Sequence, residues 1–191
     1  MYAKTLIMLG LSAALAGCVS FGAKTPDTLL SLRPTNGPAA GATASGTAET
    51  ALVVLEPATD ARLAVTRVPV QIDDANVAYL KETMWVERPS RLFQRLLAET
   101  IRAKGTRLVI ENDPGFTGPQ LSGRLLDMGY DVRTGSVVVR FDAVKTAGGG
   151  KIETRRFENA VPVTDAEAKY VGPALNEAAN TVAQAVADWV G

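Results

Sequence analysis

Between Gln120 and Val163 three strand-length stretches follow one another with only short turns between them. Gln120 to Val132 faces Gly135 to Thr146 across Arg133-Thr134, and Gly148-Gly149-Gly150 turns the chain into Lys151 to Val163. Val137, Val139, Phe141 and Ala143 alternate with polar positions, the period of a strand with one buried face. Strands joined this closely pair antiparallel, because a parallel return needs a long crossover. Such a meander leaves an apolar face to be covered. A helix predicted over Thr164 to Val190 follows at once, with Val171, Leu175, Ala178, Val182, Val186 and Trp189 in one stripe. Thr164 and Glu167 are spaced as a capping box, and Pro173 predicts a kink or a later start near Gly172. The expected fold is α+β: one domain with a mainly antiparallel or mixed β-sheet and helices packed on one face.

The first half of the chain repeats the pattern less regularly. Thr28 to Arg33 reads as a first strand, and the Pro-, Gly- and Ala-rich stretch 34–50 as a flexible loop. Ala51 to Glu56 is a buried-type strand. Val65, Val68, Val70 and Ile72 suggest extended structure interrupted by Pro57 and Pro69, with a short strand at Asn76 to Leu80. Pro89 to Gly105 is a second helix. Leu92, Phe93, Leu96, Leu97, Thr100 and Ile101 form its apolar face, Ser90 is its expected N-cap and Gly105 its C′ residue. Thr106 to Glu111 follows as a strand.

Composition narrows the chemistry. The 191 residues hold one cysteine and no histidine, so no intrachain disulfide, His-ligated zinc, Cys cluster, Ser-His or Cys-His pair can form. No metal site and no cofactor site is expected. Twenty Lys plus Arg balance twenty Asp plus Glu, which removes the electrostatic case for nucleic acid. At 47% hydrophobic the chain can build a core by packing alone.

The lone cysteine closes an apolar run from Leu6 to Ala16 that follows Lys4. That run is too short to span a bilayer, which takes about 20 residues, and fits the apolar region of a signal peptide. Leu15-Ala16-Gly17-Cys18 resembles a bacterial lipobox. The resemblance implies a signal peptide over 1–17, a diacylglycerol thioether on Cys18 and an acyl chain, such as palmitate, on the new N-terminus. Two or three chains anchor stably, each buried CH₂ contributing about 0.8 kcal/mol. Residues 18–27 then form a lipidated tether and 28–191 the periplasmic domain. Val19 in place of Asp after the cysteine implies sorting to the outer membrane.

Other motifs read more simply as structure. Gly148 to Gly150 sits between strands and lacks the Lys-Ser or Lys-Thr of a phosphate loop. Asp73-Asp74 points to opposite sides of an extended segment and reads as a solvated turn rather than an acid/base pair. Arg155-Arg156 places one arginine in solvent, with a specific anionic contact as the alternative. Trp85, just before a helix, is either a core anchor or a partner contact. No catalytic residue is expected.

The order of segments is itself informative. Leu32-Arg33-Pro34 is followed by Arg67-Val68-Pro69-Val70, Val77-Ala78-Tyr79-Leu80, Trp85-Val86-Glu87-Arg88-Pro89 and the helix from Ser90. With the lipobox and the closing Ala-rich helix, this resembles the ABC-type transport auxiliary lipoprotein family, which includes paraquat-inducible protein C. The resemblance implies a non-catalytic lipoprotein, anchored in the cell envelope and facing the periplasm. Its implied partners are a mammalian-cell-entry (MCE) domain protein and ABC transporter components that move lipids between inner and outer membranes. A homo-oligomer is compatible with such a role. The alternative is a lipoprotein of envelope assembly, in lipopolysaccharide transport or cell-wall binding. A carboxylate-based hydrolase would need a cluster of acids that the sequence does not display.

Overall fold

The structure is a computed structural model and describes residues 26–113 and 115–191. Leu15, Ala16, Gly17 and Cys18, the signal peptide 1–17 and all but the end of the 18–27 tether lie outside the described residues.

In chain order the elements are β1 (Leu52–Val54), β2 (Arg67–Gln71), β3 (Val77–Met84), α1 (Pro89–Ala103), β4 (Val109–Glu111), β5 (Gln120–Asp131), β6 (Ser136–Thr146), β7 (Ile152–Pro162) and α2 (Ala168–Val190). All seven strands form one mixed sheet built around β5. One side of β5 pairs antiparallel with β6 along its length, and β6 with β7. The other side is shared by two parallel neighbours. β1 takes the start of β5, at Val53↔Gln120, and carries β4 beyond it. β2 takes the end, at Val70↔Tyr130, and carries β3 antiparallel. Gly129 makes the junction with β2 possible, since a Cβ there would lie 2.3 Å from the Pro69 carbonyl oxygen.

Both helices lie on one face, and side-chain period explains why. The α2 stripe of Val171, Leu175, Ala178, Val182 and Val186 is fully buried, mainly over β6 and β7. α1 buries Leu92, Phe93, Leu96, Leu97 and Ile101, and Phe93 meets Phe141 of β6 edge to face at 5.3 Å. The sheet answers with Leu121, Leu125 and Met128 from β5 and Val137, Val139, Phe141 and Ala143 from β6. A register shift between Leu125 and Asp127 inserts one extra residue in β5. That bulge changes the inward positions from odd to even numbers, so both Leu125 and Met128 reach the core.

Several local expectations change. Thr28 to Arg33 is not a strand: it makes a single parallel bridge, Leu30↔Trp85, before the chain turns away across α2. Ser90 is not the cap of α1. Arg88 occupies that position with Pro89 at the first helical residue, and the Ser90 hydroxyl instead donates to Glu56 Oε1 at 2.6 Å. Gly105 does take the left-handed conformation that follows the helix, with φ of 65°. α2 begins at Ala168, later than Thr164, and Glu167 caps it without a side-chain bond, so the capping box does not form. Pro173 does not delay the start to Gly172. It lies in the second turn and forfeits only the bond to the Lys169 carbonyl, while Val171 N–H to Glu167 O at 2.9 Å holds the first turn.

Candidate functional site

Trp85 sits in the core. It is 2% exposed, its backbone N–H donates to the Thr66 carbonyl at 2.7 Å, and Leu30 pairs beside it. Among the described residues its indole N–H has no acceptor. The ring therefore serves packing and presents no free surface.

The face of the sheet opposite the helices is polar, because every second residue of β5, β6 and β7 points there. Most of its charges pair with one another in a lattice, Arg124 excepted. Arg62 donates to Asp127 Oδ1 at 2.7 Å and to Asp60 Oδ2 at 3.0 Å. Arg140 bridges Asp127 and Glu158, its pair across β6 and β7. Arg156 grips Asp142 with two bonds, of 2.6 and 2.7 Å. The hydrogen bond from Arg140 holds the Glu158 carboxyl below its ordinary range, and that from Arg156 does the same for Asp142.

A shallow cleft of about 290 Å³ opens at the β2 end of this face, with Arg62, Asp127, Arg133 and Arg140 among its walls. Arg133 is held by Asp131 and Asp74. Its hydrogen bond lowers the Asp131 carboxyl below the usual value. The carboxylates of the cleft are thus engaged by guanidinium groups and are not free to work as a general acid/base pair. Among the described residues no three His, Cys, Asp or Glu side chains are placed to hold a metal ion.

The remaining sequence motifs have structural positions. Asp73 closes the β2–β3 turn by accepting the backbone N–H groups of Ala75 and Asn76 at 2.8 and 2.9 Å. Asp74 reaches Arg133 instead, so the adjacent acids do not converge. Gly148–Gly150 forms a 3-10 turn between β6 and β7, with Gly149 at φ 80°. Arg155 lies over the Phe157 ring at 5.0 Å, while Arg156 belongs to the lattice.

One feature escaped sequence reasoning. Residues 33–36 form a strap along α2, and the helix reads their backbone with side chains four residues apart. Asn176 Oδ1 accepts the Arg33 N–H at 2.9 Å, and Asn180 Oδ1 accepts the Thr35 N–H at 2.7 Å. The Asn180 amide also donates to the Arg33 carbonyl at 2.9 Å, and Asn36 donates to Gln184. The available signal was Asn176, Asn180 and Gln184 at four-residue steps, which resembles any polar helix face.

The family model for the ABC-type transport auxiliary lipoprotein component matches residues 31–187. The chain belongs to this family. The match starts just after the Leu30 bridge, reaches the last turn of α2 and takes in every strand. A crystal structure of an uncharacterized protein resembles the chain with a TM-score of 0.67 at 13% identity, over 86% of this chain and 100% of that one. Protein XCC0632 from Xanthomonas campestris, of the DUF330 family, resembles it with a TM-score of 0.66 at 13% identity, over 87% and 92%. At such identities the likeness carries the fold alone. No curated protein matches the chain. Among the described residues no helix is long and apolar enough to cross a membrane.

Proposed function

We propose that this auxiliary lipoprotein is a non-catalytic docking component of an ABC transporter that works with an MCE-domain protein to move lipids between the inner and outer membranes. The observation that carries the reading is the family match over 31–187. The engaged carboxylates of the cleft support it from the chemical side, since they favour a surface that binds over one that turns over substrate. In this reading Cys18 carries a diacylglycerol and an N-acyl chain, which hold the domain at the outer membrane facing the periplasm. ATP is consumed by other subunits, and the domain contributes position and shape. Homo-oligomerisation would multiply the docking surface.

Co-purification from detergent extract tests this directly. Tagged mature protein is expected to retain an MCE-domain protein and ABC components. Loss of lipopolysaccharide or cell-wall factors instead of phospholipid balance on depletion would overturn it in favour of envelope assembly.

A further inference from the structure

The direction in which the chain enters the fold singles out one margin of the sheet. Leu30 donates to the Met84 carbonyl and accepts from the Val86 N–H, both at 2.8 Å, so the segment around it lies parallel to the end of β3. Trp85 and Leu30 turn inward there, toward the core. Alternation turns their neighbours outward. Leu29 is 45% exposed and Val86 49%, and Val65, beside the Thr66 carbonyl that receives the Trp85 N–H, is 39% exposed. Three aliphatic side chains from three adjacent segments therefore share the outward side of a margin whose inward side is the Trp85 core.

Two guanidinium groups at this margin stand outside the ion-pair lattice, as Arg124 does further along the face. Arg62, Arg140 and Arg156 are all engaged by carboxylates. Arg67 and Arg88 are exposed, and neither pairs with a carboxylate among the described residues. Arg67 instead covers the Tyr79 ring at 4.3 Å. Aliphatic side chains beside an aromatic ring and guanidinium groups free of carboxylates suit the boundary between acyl chains and phosphate head groups. The stretch from Cys18 to Leu29 spans at most about 40 Å even when fully extended. Leu29 is thus close in sequence to the lipid-bearing position and already part of the patch.

We propose that the margin of Leu29, Val65 and Val86, with Arg67 and Arg88, rests on the phospholipid surface that holds the anchor. This rests on the lipid-anchor reading above and adds an orientation to it. The margin of β3 lies against the bilayer, and the outer side of α2 with its strap points away from it.

Depth measurements on the whole mature lipoprotein test the orientation. Acylated Cys18 has no free thiol, so Val86→Cys supplies a unique labelling site, and Thr181→Cys on the exposed side of α2 supplies the control. Each carries an environment-sensitive fluorophore in vesicles of phosphatidylethanolamine and phosphatidylglycerol. The label at 86 is expected to lose fluorescence to nitroxide-bearing phospholipids and to be shielded from aqueous iodide, and the label at 181 to behave oppositely. Adding R67E and R88E is expected to restore iodide access at 86. If 86 is as open to iodide as 181, the proposal fails while the anchor reading stands. If 86 is shielded from both quenchers, a protein covers the margin and the proposal fails likewise. If the protein does not float with the vesicles, the anchor reading falls and takes the proposal with it.

Discussion

The indole N–H of Trp85 sets two opposing contributions against each other. An unpartnered buried donor costs about 1–3 kcal/mol, while the ring around it fills space in the core. Trp85→Phe removes the donor and part of the volume together, so its two effects offset. It is expected to leave stability within about 1 kcal/mol of the starting protein. Trp85→Ala leaves a cavity and is expected to cost about 3–5 kcal/mol. Urea unfolding of the two variants separates them. Equal losses for both would mean that the lost indole volume outweighs the relief of the unmet donor. The same residue marks how far reading a sequence reaches. A tryptophan ahead of a helix is weighted toward the core by size alone, yet neither the missing acceptor nor the Leu30 bridge can be read from spacing. Ser90 shows the reverse limit. Its place at the head of a helix suits a cap, but Pro89 and Arg88 take the terminus and a neighbouring strand's exit supplies Glu56 as its acceptor.

At the scale of elements, legibility followed periodicity. Both helices and β6 keep one period from end to end, and their apolar faces are the buried ones. β5 does not, because its bulge reverses the alternation half-way, and no pattern in the sequence announces where an extra residue is accommodated. The parallel places of β1 and β2 were also hidden, since they depend on which ends of a long strand remain free once β6 has taken its other side. The strap was hidden for a different reason. Its stability comes from side chains of α2, more than 140 residues away in sequence. Asn180 holds it from both sides, accepting from Thr35 and donating to Arg33. Asn180→Ala is therefore expected to raise hydrogen exchange at the Arg33 to Asn36 amides while α2 stays protected. The global cost is expected to be about 1 kcal/mol or less, the scale of an exposed hydrogen bond or two. Unchanged exchange in the strap would show that packing of Leu30 and Leu32, rather than the amide ladder, holds it down.

For the molecule as a whole, the two faces of the sheet divide the work. The helix side holds the chain together by apolar burial, and the opposite side presents charges that are mostly matched to each other. The matched face adds a dependence on pH whose sign follows from its hydrogen bonds. Arg140 lowers the Glu158 carboxyl, Arg156 lowers Asp142 and Arg133 lowers Asp131, so each holds its proton less tightly folded than unfolded. The unfolded chain then binds more protons in acid, and stability rises with pH across that range. The contribution is fully present above the ordinary carboxylate pKa of about 4 and disappears as pH falls through the lowered values of the folded state. Arg140→Gln releases Glu158 while Asp127 keeps Arg62. Its acid limb should accordingly be shallower, with a smaller difference in unfolding free energy between neutral and acid solution, and with apolar packing unaffected. Salt should shrink the difference between the two proteins, because these pairs face water and are screened. Denaturant unfolding across the acid range, at low and high ionic strength, reads both effects. Parallel limbs for the two proteins would mean that the ion pairs of the open face only order its surface, leaving the buried side alone to set stability.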